Sequence, residues 1–202
     1  MTAPSHVLPL QQRYVDLCAA RTRRHRLTAA DGPRDGDAAA VVVRPTRSLL
    51  TLLARLSPDD AGEGGAVVDL RGHYLGDEGA ACFLDALAGV AAPPSADAGA
   101  GVERRPEAAA AAVVPLAELR MPGTGLGNEA VAALCRLLAS PPGRTLHTVD
   151  LSDNPFLAVT AGKRLVERMP TWSGLRRLTL GGTNVPPAYA ARIADGLAAV
   201  AP

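Results

Sequence analysis

The side chains best suited to chemistry are four histidines (His6, His25, His73, His147) and three cysteines (Cys18, Cys82, Cys135), together with the loops Gly123-Thr124-Gly125 and Gly181-Gly182-Thr183. A structural or catalytic zinc needs three or four such ligands at short spacing, and none of these histidines has a second histidine or a cysteine placed that way. The nucleophile pattern G-x-S-x-G and the phosphate-cradling G-x-x-x-x-G-K are both missing. The cysteines are odd in number and each sits in an apolar helical context, which reads as reduced core thiols. No cofactor is implied, and the glycine loops are better explained as sharp turns, where glycine avoids the steric cost of unusual dihedrals.

What would position any functional surface is a recurring segment. Leu146 to Phe156, LHTVDLSDNPF, reads L-x-x-V-x-L-x-x-N-x-F. Leu146, Val149 and Leu151 point inward from a short strand, Asn154 ties down the turn and Phe156 closes the core. The template fits again at Leu116, Leu119, Met121, Thr124 and Leu126, and at Leu175, Leu178, Leu180, Thr183 and Val185. A shorter copy runs through Val68, Leu70, His73 and Leu75, with His73 hydrogen-bonding the loop backbone. Leu75-Gly76-Asp77-Glu78 and Leu126-Gly127-Asn128-Glu129 share an exit that reads as a turn, a helix N-cap and an acidic first turn.

The pattern resembles the leucine-rich repeat. Its period is 30 residues from Met121 to Leu151 and 29 from Leu151 to Leu180, long enough for a strand and a full helix, and so is similar to the ribonuclease-inhibitor type. The resemblance implies an α/β solenoid with parallel strands on a concave face and helices on a convex one. Leu70 to Met121 spans 51 residues, an excess of 22 that matches the length of the Ala-, Gly- and Pro-rich run Ala91 to Ala112. That run reads as a low-complexity insertion between adjacent repeats, with a decayed extra repeat as the alternative.

At 202 residues, 48% hydrophobic but only 3% aromatic, the chain predicts one elongated domain with an aliphatic core. Residues 1–40 read as a tail, a capping helix and a linker, and 41–202 as the repeat domain. Leu10, Tyr14, Leu17 and Cys18 put an apolar stripe on a helix expected to end in Arg21-Thr22-Arg23-Arg24-His25-Arg26. Val41-Val42-Val43 is a short strand candidate ahead of Pro45 and the run Leu49, Leu50, Leu53, Leu56, which brings the count to about five strand-helix units. Tyr14, Leu17 and Cys18 followed by Pro45, Leu49 and Leu50 resemble the N-terminal cap of some ciliary and centrosomal leucine-rich repeat proteins. In the later helices, Phe83, Leu84 and Leu87, then Val131, Leu134 and Leu138, then Leu165, Val166 and Met169, and finally Ile193 and Leu197, face inward.

Side chains alternate along a strand, so the same register exposes Val67, Asp69 and Arg71, then Glu118, Arg120 and Pro122, then Thr148, Asp150 and Ser152, then Arg177, Thr179 and Gly181. Stacking places Asp69, Arg120, Asp150 and Thr179 in one row of alternating sign, which either satisfies itself by cross-strand ion pairs or presents a mixed-charge strip to a partner. Trp172, the one tryptophan, lies in the loop returning to the last strand and reads either as a plug beneath the last repeats or as an exposed anchor for a partner. After Leu197 only Ala198 to Pro202 follow, and Ala190, Ala194 and Ala198 leave the last repeat open to a partner.

The reading is a non-catalytic protein-interaction or scaffold subunit, engaging a protein through the concave face or the open last repeat. The cap resemblance implies a ciliary or axonemal assembly in the cytoplasm. Two alternatives stand beside it. Repeats of this type also occur in ribonuclease inhibitors and small-GTPase activators, where Arg71 or Arg120 would act in trans on a phosphate. The run Arg21, Arg23, Arg24 and Arg26 would suit RNA, as in a mitochondrial ribosome component, or a transit peptide, although a net charge of +1 provides no field for nucleic acid. No apolar stretch approaches the ~20 residues that span a bilayer.

Overall fold

In a computed structural model, the structure describes residues 9–30, 43–56, 65–90 and 114–200. The chain is α/β, with four parallel strands in the sequential order β1-β2-β3-β4 and six α-helices among the described residues. Two helices come first, α1 (Pro9–Ala30) and α2 (Arg47–Arg55). Strand and helix then alternate: β1 (Ala66–Asp69), α3 (Gly76–Leu87), β2 (Leu116–Arg120), α4 (Asn128–Ala139), β3 (Thr148–Asp150), α5 (Val159–Arg168), β4 (Arg177–Thr179) and α6 (Pro187–Val200). Short 3-10 turns at Pro142–Thr145 and Met169–Thr171 return the chain from α4 and α5 to the sheet. Each strand bonds the next in register, as in Leu119↔Val149↔Leu178.

The inward strand positions behave as their spacing predicts. Val68, Leu70, Leu119, Met121, Leu146, Val149 and Leu151 are all fully buried, and one aliphatic cluster runs from Tyr14 to Leu197. A single turn position, two residues after the last inward strand residue, has positive φ in all four units: Gly72 (77°), Gly123 (63°), Asp153 (57°) and Gly182 (69°). The left-handed conformation needed there explains the glycines. Just past the end of α3, Gly89 is also at positive φ, with Val90 N–H on Asp85 C=O and Gly89 N–H on Ala86 C=O, the two reverse bonds of a Schellman cap.

Asn154 holds the turn after β3. Its side chain is fully buried, its Oδ1 accepts from Gly125 N–H (2.9 Å) and Leu126 N–H (3.0 Å), and its Nδ2 donates to the carbonyls of Met121 (2.8 Å), Leu151 (3.0 Å) and Ser152 (3.0 Å). It therefore joins the turn of its own unit to the turn of the unit before it. Thr124 and Thr183, at the equivalent positions, each donate a hydroxyl only to their own turn, on Met121 C=O and Leu180 C=O.

Several expectations are corrected. Phe156 does not close the core: it is 66% exposed, and its neighbour Leu157, fully buried, fills the place. Helix α1 does not stop in the arginine run but continues to Ala30. Val43 is not in a strand; it is buried coil whose N–H and C=O both bond the Thr22 hydroxyl, so four strand-helix units rather than five are seen among the described residues. Neither Asp77 nor Asn128 caps its own helix, since Leu75 and Gly127 occupy the cap positions without a side-chain bond. Residues 1–8, the linker 31–37, Val41 and Val42, the insertion 91–112 and the side chain of Arg26 lie outside the described residues.

Helices α1 and α3 pack antiparallel. Tyr14 meets Phe83 edge-on with ring centroids 6.1 Å apart, and two turns further along Arg21 pairs with Glu78. No helix among the described residues is long and apolar enough to cross a membrane.

Candidate interaction face

The outward side chains of the sheet fall into rows set by the strand pairing. Asp69↔Arg120↔Asp150↔Thr179 is one continuous row, and Val67↔Glu118↔Thr148↔Arg177 is the row beside it. Both follow from alternation along short strands in matched register. Arg71, Pro122, Ser152 and Gly181 belong to the chain just beyond the strand ends.

The β1-β2 half of this face satisfies itself. Arg71 bonds both carboxylate oxygens of Asp69 through Nε (3.0 and 2.9 Å), and its Nη2 lies 2.6 Å from Oδ2. Arg120 pairs with Glu118 and lies 3.9 Å from Asp69. The hydrogen bonds from Arg71, reinforced by its charge, hold the Asp69 carboxyl below the usual carboxylate range, and the same contact raises Arg71. Both arginines that would reach a phosphate in trans are thus engaged in ion pairs, although Arg71 remains 64% exposed.

The β3-β4 half differs. Asp150 accepts hydrogen bonds from Ser152 N–H (3.0 Å) and Ser152 Oγ (2.7 Å) and meets no cation at ion-pair distance among the described residues. Arg177 is exposed, sits diagonally from Asp150 across β3 and β4, and has no ion pair to a described carboxylate. Thr148 and Thr179 complete this half. A charge of each sign, held on short strands without an ion-pair partner among the described residues, though Asp150 attracts Arg71 through space, is what a complementary partner would pair with.

Trp172 is not part of any such surface. It is 5% exposed and packs in the core beneath the last units, which rejects the exposed-anchor reading. Its indole Nε1 is buried without a hydrogen-bond acceptor among the described residues. One turn explains the burial: the 3-10 turn Met169–Thr171, packed against α5 and α6, folds the chain back, with Trp172 N–H on Met169 C=O.

The arginine run is likewise drawn into the fold at its first member. Arg21 is 12% exposed and joins Glu78 of α3 to Glu129 of α4, the latter at 2.7 Å, so it acts as a clamp between helices. Arg23 and Arg24 lie on the exposed side of α1. His73 sits in its turn with Nδ1 3.2 Å from Arg71 C=O.

Three contacts had no distinct signal in sequence. Asp77 of α3 accepts backbone N–H groups from Gly127, Glu129 and Ala130 at the start of α4. Asp85, 4% exposed, receives a two-pronged bond from Arg136 at 2.7 and 2.9 Å. Tyr74 and Phe156, both exposed, flank Asp77 and Asn128 around an open cleft of about 380 Å³. Burial pushes the Cys135 thiol up to about 11, and the Cys82 thiol, hydrogen-bonded to Cys18 and buried, is raised well above its ordinary value. All three cysteines are buried and free. Among the described residues no cluster of histidine, cysteine and carboxylate could hold a metal ion.

No protein-family model, no curated protein and no solved structure matches the chain.

Proposed function

We propose that this chain is a leucine-rich repeat interaction module that docks a protein partner on the outer face of its sheet, centred on β3 and β4, as a non-catalytic subunit of a larger assembly. The leucine-rich repeat reading is supported by the inward strand positions, the shared positive-φ turn and the 29- to 30-residue spacing of the last three units. The docking role rests on one observation: Asp150 and Arg177 stand on adjacent strands without ion-pair partners among the described residues, while the charges beside them on β1 and β2 are consumed by one another.

The partner surface has a defined chemistry. It carries a cation opposite Asp150 and an anion opposite Arg177, separated by the diagonal spacing of about 8 Å between neighbouring strands, and hydroxyl-sized groups against Thr148 and Thr179. Such pairs contribute more to orientation and specificity than to raw affinity.

The test is affinity capture from native extract with quantitative mass spectrometry, comparing wild type with Asp150→Lys and Arg177→Glu. Both positions are on the surface, so the variants keep the wild-type circular dichroism spectrum. Loss of one stoichiometric neighbour in both variants supports the role, and an unchanged set of neighbours removes this face from it.

A further inference from the structure

Helix packing brings two of the three cysteines together. Along α1, Tyr14, Cys18 and Arg21 follow at helical spacing and share one face. That face lies on α3 in antiparallel sense: Tyr14 meets the Phe83 ring and, further along, Arg21 pairs with Glu78. Cys18 falls between the two anchored positions of α1, and Cys82 between the two of α3, so the register sets the thiols against each other. They are 0% and 1% exposed and share a hydrogen bond. Cys135, on α4, takes no part in this contact; the charges it feels are those of Arg164, Arg168 and Arg136.

The surroundings give the two sulfurs different roles. The bond with Cys82 holds the Cys18 thiol below its ordinary value; burial opposes this, and a second bond, with Tyr14, adds to it. Cys82 is held above its ordinary value by the same bond, by burial and by the proximity of Cys18 and Glu78, against the pull of the Arg21 guanidinium. The thiolate is the nucleophile, so Cys18 is the sulfur that attacks first. Once Cys18 is oxidised, its charge no longer faces Cys82, while Arg21 still does. Cys82 then ionises more readily and becomes the second nucleophile.

We infer that Cys18 and Cys82 are a two-electron redox couple, closed by hydrogen peroxide into a disulfide that fastens α1 to α3. In the first step the Cys18 sulfur attacks one peroxide oxygen: the S–O bond forms, the O–O bond breaks, and the second oxygen leaves as water with the Cys18 proton. In the second step the Cys82 sulfur attacks the Cys18 sulfur: the S–S bond forms, the S–O bond breaks, and the hydroxyl leaves as water with the Cys82 proton. Each sulfur gives up one electron, and the peroxide is reduced to two waters. Neither sulfur faces solvent, so a small oxidant and a local opening of α1 set the rate. Without the disulfide, α1 is tied to its neighbours by side-chain bonds such as Gln11 to Leu50 C=O, Arg13 to Ala86 C=O and Thr22 to Val43 C=O. The covalent link adds a tie that does not open with them. Cys18 and Cys82 are 64 residues apart, and closing so long a loop constrains the unfolded chain strongly. Neither sulfur lies on the outer face of the sheet, so the couple is independent of the docking role.

The test treats the reduced full chain with excess hydrogen peroxide, counts free thiols after denaturation and maps the peptides by mass spectrometry. The expected result is a fall from three free thiols to one, with the Cys18 peptide joined to the Cys82 peptide and Cys135 unmodified. The thermal midpoint should rise by about 5–15 °C, and dithiothreitol should restore both the thiols and the midpoint. Cys135→Ala should form the same link, and in Cys18→Ser the peroxide should leave the midpoint where it was. Retention of all three thiols overturns the inference, as does oxidation to sulfinic or sulfonic acid without a link, or a link that involves Cys135. A rise in midpoint that survives in Cys18→Ser overturns it too. So does a midpoint that falls when the link forms, because the bond then distorts the contact between α1 and α3 instead of fastening it.

Discussion

The carboxylate of Asp77, on α3, accepts the backbone N–H of Ala130, in the first turn of α4, at 2.6 Å. The same carboxylate takes Gly127 N–H at 3.0 Å and Glu129 N–H at 3.1 Å. The cap position of α4 is Gly127, which has no side chain to offer; the cap comes from the preceding helix. Three of the donors that every helix leaves open at its N-terminus are satisfied this way.

Asp77→Ala should therefore destabilise the protein by about 1–2 kcal/mol, the upper part of the range for a lost N-cap, measured as a shift of the urea midpoint at constant slope. Asp77→Asn keeps an acceptor oxygen and should lose less than half as much. Equal losses for the two variants would mean that charge against the helix dipole, rather than hydrogen bonding, dominates the contact.

Asn154 offers a sharper contrast. Asn154→Ala removes five hydrogen bonds and leaves the buried N–H groups of Gly125 and Leu126 without an acceptor, at about 1–3 kcal/mol for each orphaned group. The expected loss is about 3 kcal/mol or more by denaturant unfolding. Thr183→Ala, at the equivalent but partly exposed position with one bond to its own turn, should cost about 1 kcal/mol or less. A comparable loss at both sites would contradict the assignment of Asn154 as the tie between units.

Strand positions, helix faces and the row Asp69, Arg120, Asp150 and Thr179 were legible in the sequence because period-2 and period-3.6 patterns are local and each unit restates them. Asn154 was legible because a polar residue at a fixed offset after the apolar positions has one economical use, bonding the turn. The contacts that escaped notice run between units. Asp77 reads as an N-cap for its own helix, and only the stacking of α3 against α4 gives it another target. Asp85 and Arg136 are 51 residues apart, with nothing in either neighbourhood to pair them. Phe156 and Leu157 compete for one inward position, and a strict template chose the wrong one; the bend at Asp153 decides it. Trp172 allowed two readings because a loop residue carries no periodicity.

The Asp85–Arg136 pair should behave as a coupled unit. Arg136→Ala leaves a carboxylate buried to 4% exposure without its partner and should cost about 2–3 kcal/mol; half of the Arg136 side chain faces solvent, which keeps the loss below that of a fully buried pair. Replacing Asp85 by Leu in the same background should recover a large part, because the uncompensated charge is gone. A double-mutant cycle by urea denaturation checks this. Strict additivity of the two single changes would show that the residues do not interact.

Stability above pH 9 is expected to fall through the buried thiols. Cys135 titrates near 9.0 when exposed and is pushed up to about 11 in the fold, chiefly by burial. Because its folded value is raised, the folded state holds the proton more tightly, so the contribution is complete below about pH 9 and is lost as the pH climbs to about 11. Two pH units correspond to about 2–3 kcal/mol. The hydrogen bond with Cys18 and burial raise Cys82, and burial raises Tyr14, in the same direction, while the same bond lowers Cys18 and offsets part of their effect on the alkaline limb. Urea midpoints measured from pH 8 upward should decline for wild type, and Cys135→Ala should show a shallower decline from a lower starting stability, since the smaller side chain leaves a small cavity. In parallel, a thiol-specific reagent at pH 8 should find no reactive cysteine in the native protein and three after denaturation. An unchanged alkaline slope in Cys135→Ala would assign the loss of stability to Cys82 and Tyr14, at the α1–α3 contact, instead of the α4 core.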